Sequence, residues 1–205
     1  MQSFRRIRFA KDNGLAQKDI MNYWSIRSNK QRDRTVGFVG NSLSEQEVEY
    51  EEKIKFVTTH IDTTKRTIDY GCGIGRWSDT FNDYLGIDVT ENLLTAAKTR
   101  SQKRFHLLAQ PYFEESDLLV LRQDLDEMEY FFTSTVLQHC NDKSVKLIFK
   151  SLNGIRKHGF RFVFYENSSV QAEHVKGRKT SDYVRLIRIF WEVKDYQSFT
   201  HTVHG

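Results

Sequence analysis

The order of apolar and polar positions divides the chain into two parts of different texture. Before residue 60, apolar residues at helical spacing predict two helices, one around residues 20–26 and one over residues 45–61. Ser44 and Glu47 have the spacing of a capping box for the second helix. From residue 67 onward, short runs of β-branched and aromatic residues alternate with helical stretches, which predicts βαβ units and an α/β fold with a largely parallel sheet.

Five strands, with helices between them, are expected in this second part. The strands are predicted at residues 66–70, 84–89, 105–109, 129–135 and 161–165. The helices are predicted at residues 77–83, 91–102 (with Thr90 as its cap), 114–123, 143–157 and 181–189. A hairpin is predicted at residues 190–194 and 198–203, and it would end the sheet with antiparallel strands.

The composition is that of a globular domain without a structural metal or disulfide. The 205 residues are 39% hydrophobic and 28% charged, which is enough apolar material for one core and excludes a disordered chain. The net charge of +4 permits an acidic partner but does not require one. Cys72 and Cys140 lie in separate apolar contexts without metal-ligand spacing, so no zinc site and no disulfide framework are indicated.

Targeting and membrane signals are missing from the sequence. The basic N-terminus has no apolar h-region, and no run of about 18 apolar residues occurs anywhere in the chain. A soluble, cytoplasmic protein without a membrane partner is therefore expected.

The strongest single feature is a glycine-rich turn between the first predicted strand and the next helix. It reads Asp69-Tyr-Gly-Cys-Gly-Ile-Gly75, and its three alternate glycines let a ligand lie against bare backbone. Arg76 stands where a dinucleotide fingerprint needs a small residue, which argues against a nicotinamide-dependent oxidoreductase. Asp88 ends the second strand, where a carboxylate can accept hydrogen bonds from ribose hydroxyls. Together these residues predict an adenosine pocket without a pyrophosphate.

With these motifs, the chain resembles the class I S-adenosylmethionine-dependent methyltransferases over about residues 67–189. The resemblance implies a three-layer, Rossmann-like fold with a mostly parallel, seven-strand-type sheet and a C-terminal antiparallel hairpin. It also implies that residues 1–60 form a helical cover over the cofactor site. Residues 61–205 would then be the cofactor-binding domain, within one structural unit.

The resemblance assigns the cofactor, S-adenosyl-L-methionine, to particular residues. Three glycines would border its methionine moiety, Asp69 would help to hold the amino group, Asp88 would hold the ribose, and Gln110 stands where relatives bind adenine. Tyr23, Trp24 and Arg27 look like the Tyr-Trp-x-x-Arg element of a cofactor-covering helix, with core packing as the alternative for the two aromatic residues. The expected cofactor-binding residues are Trp24, Arg27, Asp69, Gly71, Cys72, Gly73, Gly75, Trp77, Asp88, Val89, Gln110 and Thr135. For Trp77, core packing is the alternative.

Two residues at strand ends are candidates for catalysis. His139 follows the fourth strand and would act as a general base, or else pack beside the cofactor. Glu166 follows the fifth strand and would orient the acceptor, or else cap the strand end. The sequence from Arg178 to Tyr183 resembles an element that borders the substrate in relatives.

The function expected from the resemblance is methyl transfer to an oxygen or nitrogen of a small molecule. A nucleic-acid substrate is disfavoured, because the chain has no long basic stripe and carries Ser134-Thr-Val-Leu137 where amino-methylating enzymes have an Asn/Asp-Pro-Pro-Tyr/Phe motif. Methylation of a protein or peptide amine is the alternative within enzymes. A non-catalytic, cofactor-binding scaffold is the alternative outside them. The oligomeric state cannot be predicted from the sequence.

Overall fold

The computed structural model describes residues 17–31, 43–153, 159–166, 171–172 and 175–196. Five parallel strands form the main sheet, in the order β3-β2-β1-β4-β5. They are β1 (Thr67–Tyr70), β2 (Tyr84–Asp88), β3 (Arg104–Leu107), β4 (Tyr130–Ser134) and β5 (Arg161–Tyr165). The strand order reverses between β1 and β4, and an open α/β sheet places its ligand crevice at the carboxyl ends of the strands on either side of such a reversal.

Seven helices accompany the sheet in the described part of the chain. They are α1 (Gln17–Gln31), α2 (Leu43–His60), α3 (Glu91–Arg100), α4 (Glu115–Val120), α5 (Arg122–Glu127), α6 (Asp142–Leu152) and α7 (Thr180–Ile187). Two short strands, β6 (Gln171–Ala172) and β7 (Val175–Lys176), form a separate antiparallel pair. Among the described residues, no helix combines the length and the apolar character needed to cross a membrane.

The two faces of the sheet bury separate hydrophobic clusters. Consecutive residues of a strand point to opposite faces, so Phe131 belongs to one cluster and Phe132 to the other, and both are fully buried. Phe131 shares its cluster with Ile68 of β1 and Phe149 of α6. Both faces of β1 are covered, so all four of its residues are buried, including the polar side chains of Thr67 and Asp69.

The α/β fold and all five sheet strands are confirmed, but two predicted helices are wrong in form. Residues 77–83 do not form a helix; the segment after the glycines is a series of turns, in which Ser78 donates to the carbonyl of Gly75 and Thr80 to that of Trp77. These bonds span three residues and do not continue as the four-residue hydrogen bonds of an α-helix. The predicted helix at 114–123 is divided into α4 and α5 at Leu121, whose ψ angle of 7° leaves the helical range.

The predicted C-terminal hairpin is wrong in its first half. Phe190 and Trp191 both donate their backbone N–H to the carbonyl of Ile187, so this segment turns at the end of α7. The indole of Trp191 packs against Phe160 and donates to the carbonyl of Phe149. These apolar residues therefore anchor the segment to the core instead of pairing as a strand. Residues 198–203 and the side chains of the α2 capping box lie outside the described part.

Candidate cofactor-binding site

The glycine-rich turn follows β1 and has the conformation that its glycines permit. Gly71, Gly73 and Gly75 have φ angles of 76°, 56° and 70°, in the left-handed region that other residues seldom adopt. The N–H groups of Gly71 and Cys72 both donate to the carbonyl of Ile87 at the end of β2, at 2.7 and 3.1 Å. A Cβ at Gly71 would lie 2.4 Å from the side chain of Val136. Glycine is therefore required here by both conformation and space.

Asp88 connects this turn to the end of β2. One carboxylate oxygen accepts from the N–H of Gly73 at 2.9 Å, and the other accepts from the N–H of Thr90 at 2.8 Å. Burial raises the pKa of Asp88, and these backbone hydrogen bonds oppose the rise. Thr90 precedes α3 as predicted, but its side chain makes no capping hydrogen bond. Asp88 thus lies at the predicted strand end, as part of the framework of the turn.

Asp69 is buried in β1, two residues before the first glycine of the turn. It is 1% exposed, and its carboxyl group accepts a hydrogen bond from the hydroxyl of Tyr84 at 2.8 Å. Burial raises the pKa of Asp69 to about 7, and the hydrogen bond from Tyr84 lowers it in part. This carboxyl group therefore keeps its proton to a higher pH than an exposed aspartate does.

Helix α1 brings its aromatic and basic residues to the end of β4. The rings of Trp24 and His139 meet edge to face, with their centroids 5.0 Å apart. Arg27 donates to the hydroxyl of Tyr23 at 2.8 Å, and its guanidinium carbon lies 5.3 Å from the Trp24 ring centroid. The side-chain amide of Asn92 in α3 donates to Asn29 at 2.7 Å, which ties α1 to the body of the fold. The structure thus brings Trp24 and Arg27 of α1 close to His139, which lies more than 100 positions further along the chain.

The turn after β4 carries Thr135 and His139. Thr135 has a φ angle of 56°, the one positive φ among described residues other than glycine, and its N–H donates to the carbonyl of Tyr165 at 2.7 Å. A β-branched residue is strained in this conformation, and such strain clusters at functional sites. A single 3-10 turn, Leu137–His139, follows and leaves His139 8% exposed.

Glu166, at the end of β5, faces the backbone of this turn. Its carboxylate accepts four hydrogen bonds of 2.9–3.1 Å, from the hydroxyl of Thr133 and from the backbone N–H groups of Val136, Leu137 and Gln138. Burial raises the pKa of Glu166 to about 7, and these hydrogen bonds oppose the rise. Glu166 therefore supports the turn that carries His139.

Arg178 holds the same turn from the other end. It is 4% exposed and donates to the carbonyls of Leu137 at 2.9 Å and Cys140 at 2.6 Å. It also pairs with Asp142 at 2.8 Å, and its guanidinium carbon lies 5.5 Å from the ring centroid of Tyr183. The sequence predicted a substrate-facing element here. The backbone contacts of Arg178 were missed, because nothing in the run Lys176-Gly-Arg-Lys179 distinguishes the buried arginine from the lysines on either side of it.

The remaining predicted cofactor residues differ in their surroundings. Trp77 is 6% exposed and packs edge to face against Phe132, so it lies in the core. Cys72 is buried in the same cluster. Val89 and Gln110 are half-buried, in the segments that follow β2 and β3.

No protein-family model matches the sequence, and neither does any curated protein sequence. Solved structures do match the fold. Magnesium protoporphyrin IX methyltransferase from Synechocystis PCC 6803, solved with S-adenosylmethionine bound, is 15% identical with a TM-score of 0.55, over 82% of this chain and 84% of that one. A Thermotoga maritima protein described as a possible histamine N-methyltransferase is 14% identical with a TM-score of 0.56, over 83% and 79%. A methyltransferase from Anabaena variabilis is 16% identical with a TM-score of 0.54, over 78% and 65%.

At these levels of identity the likeness concerns the fold alone. The chain has the class I, Rossmann-like fold of the S-adenosylmethionine-dependent methyltransferases. The five-stranded sheet has the parallel core of that fold, and the described residues add no sixth or seventh strand to it.

Proposed function

We propose that the protein is an S-adenosylmethionine-dependent methyltransferase that acts on an oxygen or nitrogen nucleophile of a small molecule. The observation that carries this proposal is the convergence of three features at the reversal of strand order. The bare glycine turn follows β1, Asp88 ends β2, and the Trp24–His139 pair lies beyond β4. Ligands of open α/β sheets bind at this position.

The residues at this crevice fit an adenosyl sulfonium cofactor. The glycines present backbone without side chains, and a carboxylate has about four acceptor sites, so Asp88 can add ribose hydroxyls to the two backbone donors it already binds. Trp24 and Arg27 would cover the cofactor, Gln110 would contact adenine, and Thr135 would border it at the end of β4. The cofactor supplies a methyl group that its sulfonium has already activated.

The protein's own contribution is alignment and proton transfer. We assign His139 as the general base, because an imidazole titrates near neutral pH and this one lies beside Trp24 at the end of β4. Glu166 is proposed to act through the turn and not on the acceptor, since its four hydrogen bonds already fill the roughly four acceptor sites of a carboxylate. The covering helix would exclude water and orient the acceptor.

The position of α1, which brings Trp24 against His139 at the end of β4, supports the proposal of a small-molecule acceptor. Residues 1–60 are proposed as a cover and residues 61–205 as the cofactor domain. Two solved structures of the same fold carry names of small-molecule methyltransferases, which agrees with this choice.

Cofactor binding is tested by calorimetric titration of the full chain with S-adenosylmethionine, S-adenosylhomocysteine and reduced nicotinamide dinucleotide, each separately. We expect micromolar binding of the first two and none of the third. Asp88→Ala should weaken binding by about 1–3 kcal/mol, because the ribose loses a buried acceptor. Asp83→Ala is the matched control, since Asp83 is an exposed carboxylate that pairs with Arg66 just before the same strand.

Equal affinity in the Asp88 and Asp83 variants would contradict the ribose assignment. Transfer of a labelled methyl group to pools of small amines and alcohols, and to peptides, then decides the acceptor class. Transfer to peptides alone would favour the protein-amine alternative. Binding without any transfer would favour a cofactor-binding scaffold.

A further inference from the structure

Two charged side chains hold opposite ends of the turn that carries His139. The carboxylate of Glu166 accepts from N–H groups at its start, and the guanidinium of Arg178 donates to the carbonyl of Leu137 within the turn and to that of Cys140 just after it. An anion at the N-terminal end of a helical turn and a cation at its C-terminal end both match the direction of the backbone dipoles.

The turn is too short to hold this shape alone. Its own backbone hydrogen bonds run from His139 to Val136 at 2.9 Å and from Cys140 to Leu137 at 3.1 Å. Helical turns of this type are used in short pieces with poorer hydrogen-bond geometry than an α-helix. It also begins after Thr135, in a strained conformation. Its position against α1 therefore depends on side chains outside it.

The Arg178 side chain is itself held in place. Its Nε and one terminal nitrogen donate to the same oxygen of Asp142, at 3.0 and 2.8 Å, and its plane lies near Tyr183. Burial raises the pKa of Asp142, but hydrogen bonds from Lys176 and Arg178 outweigh this effect, so the pKa is lowered and the carboxylate stays charged. The planar fork of arginine reaches these acceptors together, whereas lysine offers a single point charge.

We propose that Arg178 is a positioning residue of the methyl-transfer site: it fixes the 3-10 turn so that His139 lies against Trp24 of the covering helix. The expected effect of Arg178 on turnover rests on the proposed function. Its expected effect on the position of the 3-10 turn does not depend on that function.

The test compares Arg178→Met and Arg178→Lys with Arg122→Met, which changes an exposed arginine on α5. Backbone amide resonances of residues 136–140 and the indole N–H of Trp24 report the turn without any substrate. With S-adenosylmethionine and an acceptor identified by the labelled-methyl assay, we expect Arg178→Met to lower kcat by about tenfold or more, since small misplacements of reacting groups are costly. Affinity for S-adenosylhomocysteine should change much less, and Arg178→Lys should recover part of kcat. A residue needed only for folding would lower kcat and cofactor affinity together.

Resonances of residues 136–140 that move no more in Arg178→Met than in Arg122→Met would overturn the proposal. So would equal losses of kcat and cofactor affinity in both Arg178 variants. If Arg178→Met does not fold, Arg178→Lys decides by the same resonances and the same ratio of kcat to affinity. A wild-type protein that binds no adenosyl compound would contradict the proposed function, while the resonances would still decide on the turn.

Discussion

Two turns meet at the crevice, and they are built in opposite ways. The turn after β1 takes its shape from its own residues, because Gly71, Gly73 and Gly75 adopt left-handed conformations at little cost. The turn after β4 has no glycine, so it places Thr135 in the same region of φ. It is then held by Glu166, 29 positions beyond Leu137, and by Arg178, 41 positions beyond it.

Because of this difference, the two turns are sensitive to substitutions at different residues. The glycine turn is sensitive to changes within itself, because any side chain at Gly71 meets Val136. The second turn is sensitive to changes in residues that lie far away in sequence. Gly71 lies close to Val136 and so links the two turns. The size of residue 71 therefore limits how closely the turn after β4 can pack against the turn after β1.

The largest effect is expected at Gly71. Gly71→Ala adds a Cβ that would lie 2.4 Å from Val136 at a φ angle of 76°. Overpacking and the left-handed conformation together should lower the free energy of unfolding by about 3–5 kcal/mol. Urea unfolding measures this loss. Gly159→Ala is the control, because a Cβ at Gly159 would meet nothing within 4 Å.

A double-mutant cycle with Val136→Ala separates the two causes. In the Val136→Ala background most of the steric part should disappear, since only the Cβ of residue 136 remains, 3.1 Å from the added Cβ, and the cost left should be mainly the roughly 1–2 kcal/mol of the backbone conformation. If Gly71→Ala costs the same in both backgrounds, the two turns are not in contact as described.

The free energy of unfolding should also depend on pH, through one buried carboxyl group near each turn. Burial raises the pKa of Asp69, beneath the first turn, and of Glu166, behind the second, to about 7 in each case. Both groups bind their protons more tightly in the folded chain than in the unfolded one. The stability they contribute is therefore complete below about pH 4, and it is lost progressively as the pH rises to about 7.

Urea unfolding between pH 4.5 and 8 measures this slope. Asp69→Asn and Glu166→Gln should each remove part of it, and the double variant should flatten it further. An unchanged slope in Asp69→Asn would mean that this carboxyl group is ionised in the folded protein throughout the range.

The same contrast explains how much the sequence could predict. The glycine turn and Asp88 were found because their chemistry depends on residues close together in sequence. The five sheet strands could be predicted from short runs of apolar, β-branched and aromatic residues, although β3 and β5 are only partly buried. The helix predicted at 77–83 and the strand predicted at 190–194 were wrong, because turn hydrogen bonds and the packing of Trp191 overrode local propensity. The hydrogen bonds from Arg178 to the turn after β4 join residues 41 and 38 positions apart, so no local sequence pattern indicates them.

The smallest change in stability is expected at Thr135, where the turn after β4 has a strained residue in place of the glycines of the turn after β1. Thr135→Asn replaces a β-branched residue at a φ angle of 56° by one that tolerates this conformation and whose side-chain amide can still hydrogen-bond to the local backbone in place of the hydroxyl, so stability should rise by about 0.5–1 kcal/mol. Thr135→Val keeps the strain and loses the bond from the hydroxyl to the carbonyl of Ser134, so it should fall below the wild type. Thermal and urea unfolding rank the three proteins. An order with Asn lowest would mean that the surrounding structure stabilises a β-branched side chain at Thr135 by more than its strained backbone costs.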